Sequence, residues 1–262
     1  MAPHPETTPV PSSSPTTSPA RQPKKPPCHP PCPPCPPCPP GPSHFALPTL
    51  RLEIRQLTHP GANLALNCVN PAETLATAAR NVLRLLYSSP ASPTTTAPPT
   101  RSVTLILRDM PGVAYATGIE LDGDHKEIHL SLDHVLNTSR DRTAQEITGV
   151  ITHELVHCLQ WNGFGTCPSG LIEGIADWVR LNCDLAPPHW KKEPAHNWDA
   201  GYQHTAYFLN HLEVTLGDGF VRALNEKLRI EKYAEHKFWM ELTGRTVHDL
   251  FTEYVEGLQD ER

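Results

Sequence analysis

The chain is short of positive charge: 22 Lys and Arg stand against 28 Asp and Glu, a formal net charge of −6. Phosphate neutralisation draws on a surplus of basic side chains, so no nucleic-acid partner is expected. Also missing is any apolar run near the roughly 18 residues that a membrane span requires, so no membrane association is expected either. The first twenty residues, MAPHPETTPVPSSSPTTSPA, lack the basic-then-apolar order of a secretory leader. Secretion by the standard route is not supported, and cytoplasmic retention or unconventional export both fit. Without a leader the eight cysteines are expected to stay reduced, and their positions show no disulfide framework.

Large apolar side chains are scarce in residues 1–44, which hold 18 of the 30 prolines. Such a segment cannot bury enough surface to offset its ordering entropy, so a disordered Pro/Cys-rich tail is expected there. Within it, CHPPCPPCPPC would align Cys32, Cys35 and Cys38 along one edge of a polyproline II helix, which turns once every ~3 residues. A low-complexity tract without a site is the simpler reading, and the one adopted.

Residues 45–262 read as one α+β domain, strands first and helices later. Thr49–Leu57 alternates Leu50, Leu52 and Ile54 with polar neighbours and predicts a strand. Asn70-Pro71, with Glu73 three after the cap, opens a helix to about Tyr87 whose inner face carries Leu75, Val82, Leu83 and Leu86. The polar, proline-containing stretch 88–100 reads as an exposed insert. Strands are predicted at 102–109, 112–121 and 127–135, with Asp122-Gly123 as a hairpin turn. Helices are predicted near 141–160, 170–183, 199–215, 219–230 and 247–258.

The stretch ITHELVHCLQ, Ile151–Gln160, carries the chemistry. Residues four apart on a helix share a face, so His153 and His157 can offer two imidazole nitrogens to one ion. Glu154 then points about 100° round the helix, where it can hold and deprotonate a metal-bound water. The chain has 15 histidines, so chance spacing is the competing explanation. Against it, Ile147, Val150, Ile151 and Leu155 make an apolar helix body in which two unpartnered imidazoles would be costly. A catalytic zinc takes three protein ligands and leaves one position open. The Gly-rich reversal NGFGTCPSG leads into a second helix, LIEGIADWVRL, where Glu173 and Asp177 again stand four apart. One of them can ligate while the other accepts a hydrogen bond from the far nitrogen of a ligating histidine. Tyr202 and His204, near the start of the next helix, are further candidate site residues.

The segments HELVHCLQWNGFG, GLIEGIADWVRL and WDAGYQHTAYFLNHLE together resemble the basic secretory protein family, peptidases of plants with members in fungi and bacteria. The resemblance spans roughly Leu50 to Leu258. It implies a zincin-like, gluzincin-type metallopeptidase domain with a small, mostly antiparallel-edged sheet, an N-terminal helix and a helical C-terminal half. It implies one zinc ion held by His153, His157 and Glu173, with Glu154 as general base. Fifteen residues separate His157 from Glu173, fewer than in well-known gluzincins, whereas nineteen separate it from Asp177, which therefore stays a rival third ligand. For the donor to the oxyanion formed in peptide hydrolysis, the resemblance implies a Tyr or a His, and Tyr202 is preferred over His204. The substrate strand is expected to pair with an exposed edge at 112–121 or 127–135. A monomer acting on peptide or protein substrates is the expected form. The competing function is a zinc-stabilised defence or binding protein without turnover.

Overall fold

The structure, a computed structural model, describes residues 44–260. The tail disorder and the polyproline cysteine edge expected above lie outside those residues. In chain order the elements are β1 (Thr49–Ile54), α1 (Pro60–Cys68), α2 (Pro71–Leu86), β2 (Ser102–Arg108), β3 (Ala114–Ile119) and β4 (Asp122–Ser131). There follow α3 (Leu132–Asn137), α4 (Thr143–Leu159), α5 (Ser169–Leu181), α6 (Tyr202–Leu216), α7 (Phe220–Ile230), α8 (Glu235–Thr243) and α9 (Val247–Asp260). The α+β class expected from the strand-then-helix order is what the chain forms. Among the described residues no helix is long and apolar enough to cross a membrane.

The four strands make one sheet in the order β1-β2-β4-β3. β1 runs parallel to β2 and β2 parallel to β4, and β3 is antiparallel to β4. The sheet is therefore mixed, and the mostly antiparallel edges expected are found at β3 alone. Parallel neighbours need a long connection, which α1 and α2 supply between β1 and β2. Val103, Leu105 and Leu107 of β2, with Ile128 and Leu130 of β4, turn one sheet face towards the helices and join the central core. α2 forms as its sequence dictates. Asn70 Oδ1 accepts from the N–H groups of Ala72 at 3.1 Å and Glu73 at 3.4 Å. Leu75, Val82, Leu83 and Leu86 are all buried, each stabilising by about 1.5–3 kcal/mol over exposure.

Several local expectations are corrected. The β3–β4 turn is Glu120-Leu121, and Asp122-Gly123 already belong to β4. Arg101 pairs with Asp122 and lies 3.7 Å from Asp124, which holds these residues in the strand. The strand predicted at 127–135 stops at Ser131, whose hydroxyl accepts from His134 N–H at 3.3 Å and starts α3 instead. The insert 88–100 is tied down: Trp161 Nε1 donates to Thr96 O at 2.8 Å and Thr100 Oγ1 to Cys158 O at 2.9 Å. Glu226 Oε2 accepts Thr96 N–H at 2.9 Å from α7, and Thr95 is buried. Helices α1, α3 and α8 lie outside the predicted helices.

Candidate active site

α4 is buried over most of its length, with His153 8% and Glu154 6% exposed. Glycine sets how closely its neighbours approach. A Cβ on Gly149 would stand 2.6 Å from Arg180 Nε, so the bare backbone makes room for that guanidinium. Arg180 Nη2 then meets Glu146 Oε2 at 2.9 Å, tying the start of α4 to the end of α5. At the other end of the pair, the two histidines of α4 face the carboxylates of α5.

His153 Nδ1 lies 2.6 Å from Asp177 Oδ1, a buried contact that keeps the proton on Nδ1 and turns Nε2 outward. His153 Nε2 is 3.0 Å from Glu173 Oε2 and 3.1 Å from His157 Nε2. His157 Nε2 is 3.6 Å from Glu173 Oε2, closing the triangle. Of the two rival carboxylates, Glu173 is the one beside both Nε2 atoms, while Asp177 touches the back of His153. The group His153, His157 and Glu173 has donor atoms close enough together to hold one metal ion. Burial disfavours the charged form of His153, but hydrogen bonds to Asp177 and Glu173 outweigh it and push its pKa up to about 9. Burial would raise Glu173, yet hydrogen bonds to His153 and His157 hold it down to about 2. The three donors thus form a setting that favours a bound positive charge.

Glu154 lines the same cleft, and its Oε2 is buried without a hydrogen-bond partner. Burial pushes its carboxyl above the ordinary range. Tyr202 stands at the mouth, 59% exposed, its ring 6.2 Å from that of His153. Its φ of +46° is left-handed, which is strained for a residue with a side chain. Thr205 holds that turn: its hydroxyl accepts Gly201 N–H at 2.9 Å and donates to Trp198 O at 2.9 Å. His204 faces a different recess, beside Pro194, His196 and Asn197. Of the two candidate oxyanion donors, Tyr202 is therefore the one in the cleft.

The cleft has a volume of about 900 Å³. One wall is β3 with the residue before it, Val113–Ala116; beyond the histidines it continues past Val150 and Glu146 to Arg180 and Trp190. β4 lies between β2 and β3 with both edges paired, so 127–135 offers no free edge for a substrate strand. β3 ends the sheet, and its outer edge pairs with no described strand. His59, Asp109 and Asp133 form a second group within metal-ligating distance of one another. There His59 Nδ1 accepts Gly61 N–H at 3.1 Å, so the neutral ring carries its proton on Nε2, facing Asp133 at 3.5 Å. That nitrogen has no lone pair to give, and the group does not suit a metal.

Residues 47–254 match a protein family, BSP, described as peptidase of plants and bacteria. The chain belongs to this family. No curated protein and no solved structure matched significantly. The part of the chain matched to the BSP family contains the whole cleft, from Val113 to Gln203. Peptidase, with peptide or protein substrates, is the activity class that membership of the BSP family gives the chain. Sequence reasoning overlooked Gln160, Thr205, Glu146 and Arg180. Gln160 sits three residues after His157, a spacing that puts both on one helix face and was visible in the sequence. Thr205 and Arg180 act across helix contacts, for which the sequence carries no local signal.

Proposed function

We propose that the chain is a zinc-dependent peptidase with a zincin-like, gluzincin-type site, in which His153, His157 and Glu173 hold one zinc ion. The observation that carries this is the triangle of donor atoms. A tetrahedral zinc with ligands at about 2.0–2.1 Å sets its donors about 3.3 Å apart. The three separations here are 3.0, 3.1 and 3.6 Å, on either side of that value. The donor types, two imidazoles and a carboxylate, are those of catalytic zinc with one position left for water.

Bound zinc supplies Lewis-acid chemistry, lowering the pKa of a water towards about 7 and polarising a carbonyl. The remaining work falls to the chain itself. Glu154 takes the proton of the attacking water on its unpaired Oε2 and returns it to the leaving amine, and its raised pKa suits a group that must hold a proton in between. Asp177 keeps His153 in the tautomer with Nε2 forward. The Tyr202 hydroxyl donates to the oxyanion. The free edge of β3 receives the extended substrate through main-chain hydrogen bonds, which bind peptides with little regard to sequence.

The test is digestion of casein or a generic peptide by purified protein, with metal analysis and with and without a chelator. The expected result is one zinc per chain and hydrolysis that the chelator abolishes. Glu154→Gln should keep the zinc and lose at least about 10²-fold in rate; His157→Ala should lose both. Zinc without turnover in the wild type would favour a non-catalytic, zinc-stabilised protein. Full activity in Glu154→Gln would reject the assigned base.

A further inference from the structure

Gln160 closes α4 as its C-cap, its backbone N–H bonded to Val156 O at 2.7 Å. Its side chain folds back along the last turn. The amide nitrogen reaches His157 Nδ1 at 2.8 Å and makes a longer contact of 3.4 Å to Ile172 O on α5. The amide oxygen is buried and has no hydrogen-bond partner. On the opposite side of the same imidazole, Nε2 faces His153 Nε2 and Glu173 Oε2.

These contacts constrain one another. An imidazole that gives its Nε2 lone pair to a metal carries its single proton on Nδ1, and that proton needs an acceptor. An amide NH₂ cannot accept it, and an amide oxygen can. The two ends of the amide are nearly the same size, so a half turn about the last side-chain torsion exchanges them within the same space. The exchange brings the partnerless oxygen to Nδ1, while giving up the long contact to Ile172 O and moving the NH₂ to where the oxygen had no partner.

We propose that Gln160 is a positioning residue for His157: its amide oxygen accepts the Nδ1–H bond, fixing the tautomer and ring orientation that direct Nε2 into the site. The proposal rests on the zinc reading above and adds a residue that the ligand motif does not contain. His153 and His157 are then held by different means, the first by a buried carboxylate and the second by a neutral amide. A neutral partner keeps the site from accumulating a fourth acidic group beside Glu154, Glu173 and Asp177.

The experiment measures zinc affinity, by competition with a chromophoric chelator, for the full chain and for Gln160→Met and Gln160→Glu, with folding followed by circular dichroism. Met matches the shape of Gln without an acceptor; Glu keeps the acceptor. Gln160→Met should lower zinc affinity about 10–100-fold, and Gln160→Glu should hold it at or above the wild-type value. A packing role alone predicts the reverse order, because Met fills the space and Glu buries a carboxylate. Unchanged affinity in Gln160→Met, or Glu worse than Met, overturns the proposal. A measurement free of any substitution is the ¹⁵N spectrum of the zinc-loaded wild type, where His157 should show a protonated, hydrogen-bonded Nδ1; an unprotonated Nδ1 overturns it. Failure of the wild type to bind zinc rejects the metal reading, and this proposal with it. Zinc binding that Gln160→Met leaves intact rejects only the role of Gln160.

Discussion

The same substitution, glycine to alanine in a helix, should have opposite signs at two positions of this chain. In an open helix interior alanine gains about 0.8–1 kcal/mol over glycine through reduced backbone freedom. Gly257 in α9 is exposed, with no atom within 4 Å of where a Cβ would stand, so Gly257→Ala should gain up to that amount. Gly174 in α5 is different. Its Cβ would lie 2.3 Å from Thr205 Cγ2 and 2.5 Å from Thr205 Cβ. Thr205 cannot step aside by rotation, because its hydroxyl is bonded to both Gly201 N–H and Trp198 O. Overpacking of this kind costs about 1–3 kcal/mol, and with Thr205 fixed the upper end applies. Setting about 3 against the gain of about 1 leaves a net loss of about 2 kcal/mol. At about 2–4 °C per kcal/mol for a domain of this size, thermal unfolding should fall by roughly 4–8 °C in Gly174→Ala and rise by a few degrees in Gly257→Ala. Calorimetry of both variants against wild type is the assay. A midpoint for Gly174→Ala at or above wild type would refute the reasoning that α5 and α6 touch through bare backbone.

Two further outcomes concern the site. Asp177→Ala should lose about 10–100-fold in zinc affinity, since nothing then accepts the Nδ1–H of His153; chelator competition checks it, with folding followed by circular dichroism, and wild-type affinity would sink the assignment. Tyr202→Phe should lower kcat about 10²–10³-fold with little change in KM, as expected on losing one oxyanion donor; steady-state kinetics on a peptide substrate decide it, and an unchanged kcat removes Tyr202 from the reaction.

Much of this was legible in the sequence wherever the signal is local. Asn70 with Pro71 announces α2 because a capping side chain and a helix-compatible proline act within one turn. The His153–His157 spacing announces a shared helix face for the same reason. α1 stayed hidden because the cap position is held by His59, whose ring nitrogen accepts Gly61 N–H at 3.1 Å, and Pro60 alone, without a Ser, Thr, Asp or Asn at the cap, is a weak signal. α8 has no side-chain cap and ends at Gly244 with φ of +73°, so only a lone glycine marks it. Asp122-Gly123 misled because a turn signal reports a preference, and Arg101 holds Asp122 in a strand instead. Composition made 88–100 look free, whereas its anchors are Trp161, Cys158 and Glu226, distant in sequence and invisible to any local rule. Which of Glu173 and Asp177 stands beside both Nε2 atoms depends on the relative rotation of two helices, which the spacing of residues along one helix does not contain.

The parallel pairing of β1 with β2, and of β2 with β4, bears on how the molecule is made. The strand synthesised first cannot meet its neighbour until two helices and a long connection have left the ribosome, and the sheet is incomplete until Ser131 has followed. Contacts so far apart in the chain form slowly. The nascent protein therefore adds residues 55–101 while Thr49–Ile54 stays unpaired, an interval in which a holding chaperone would have something to hold.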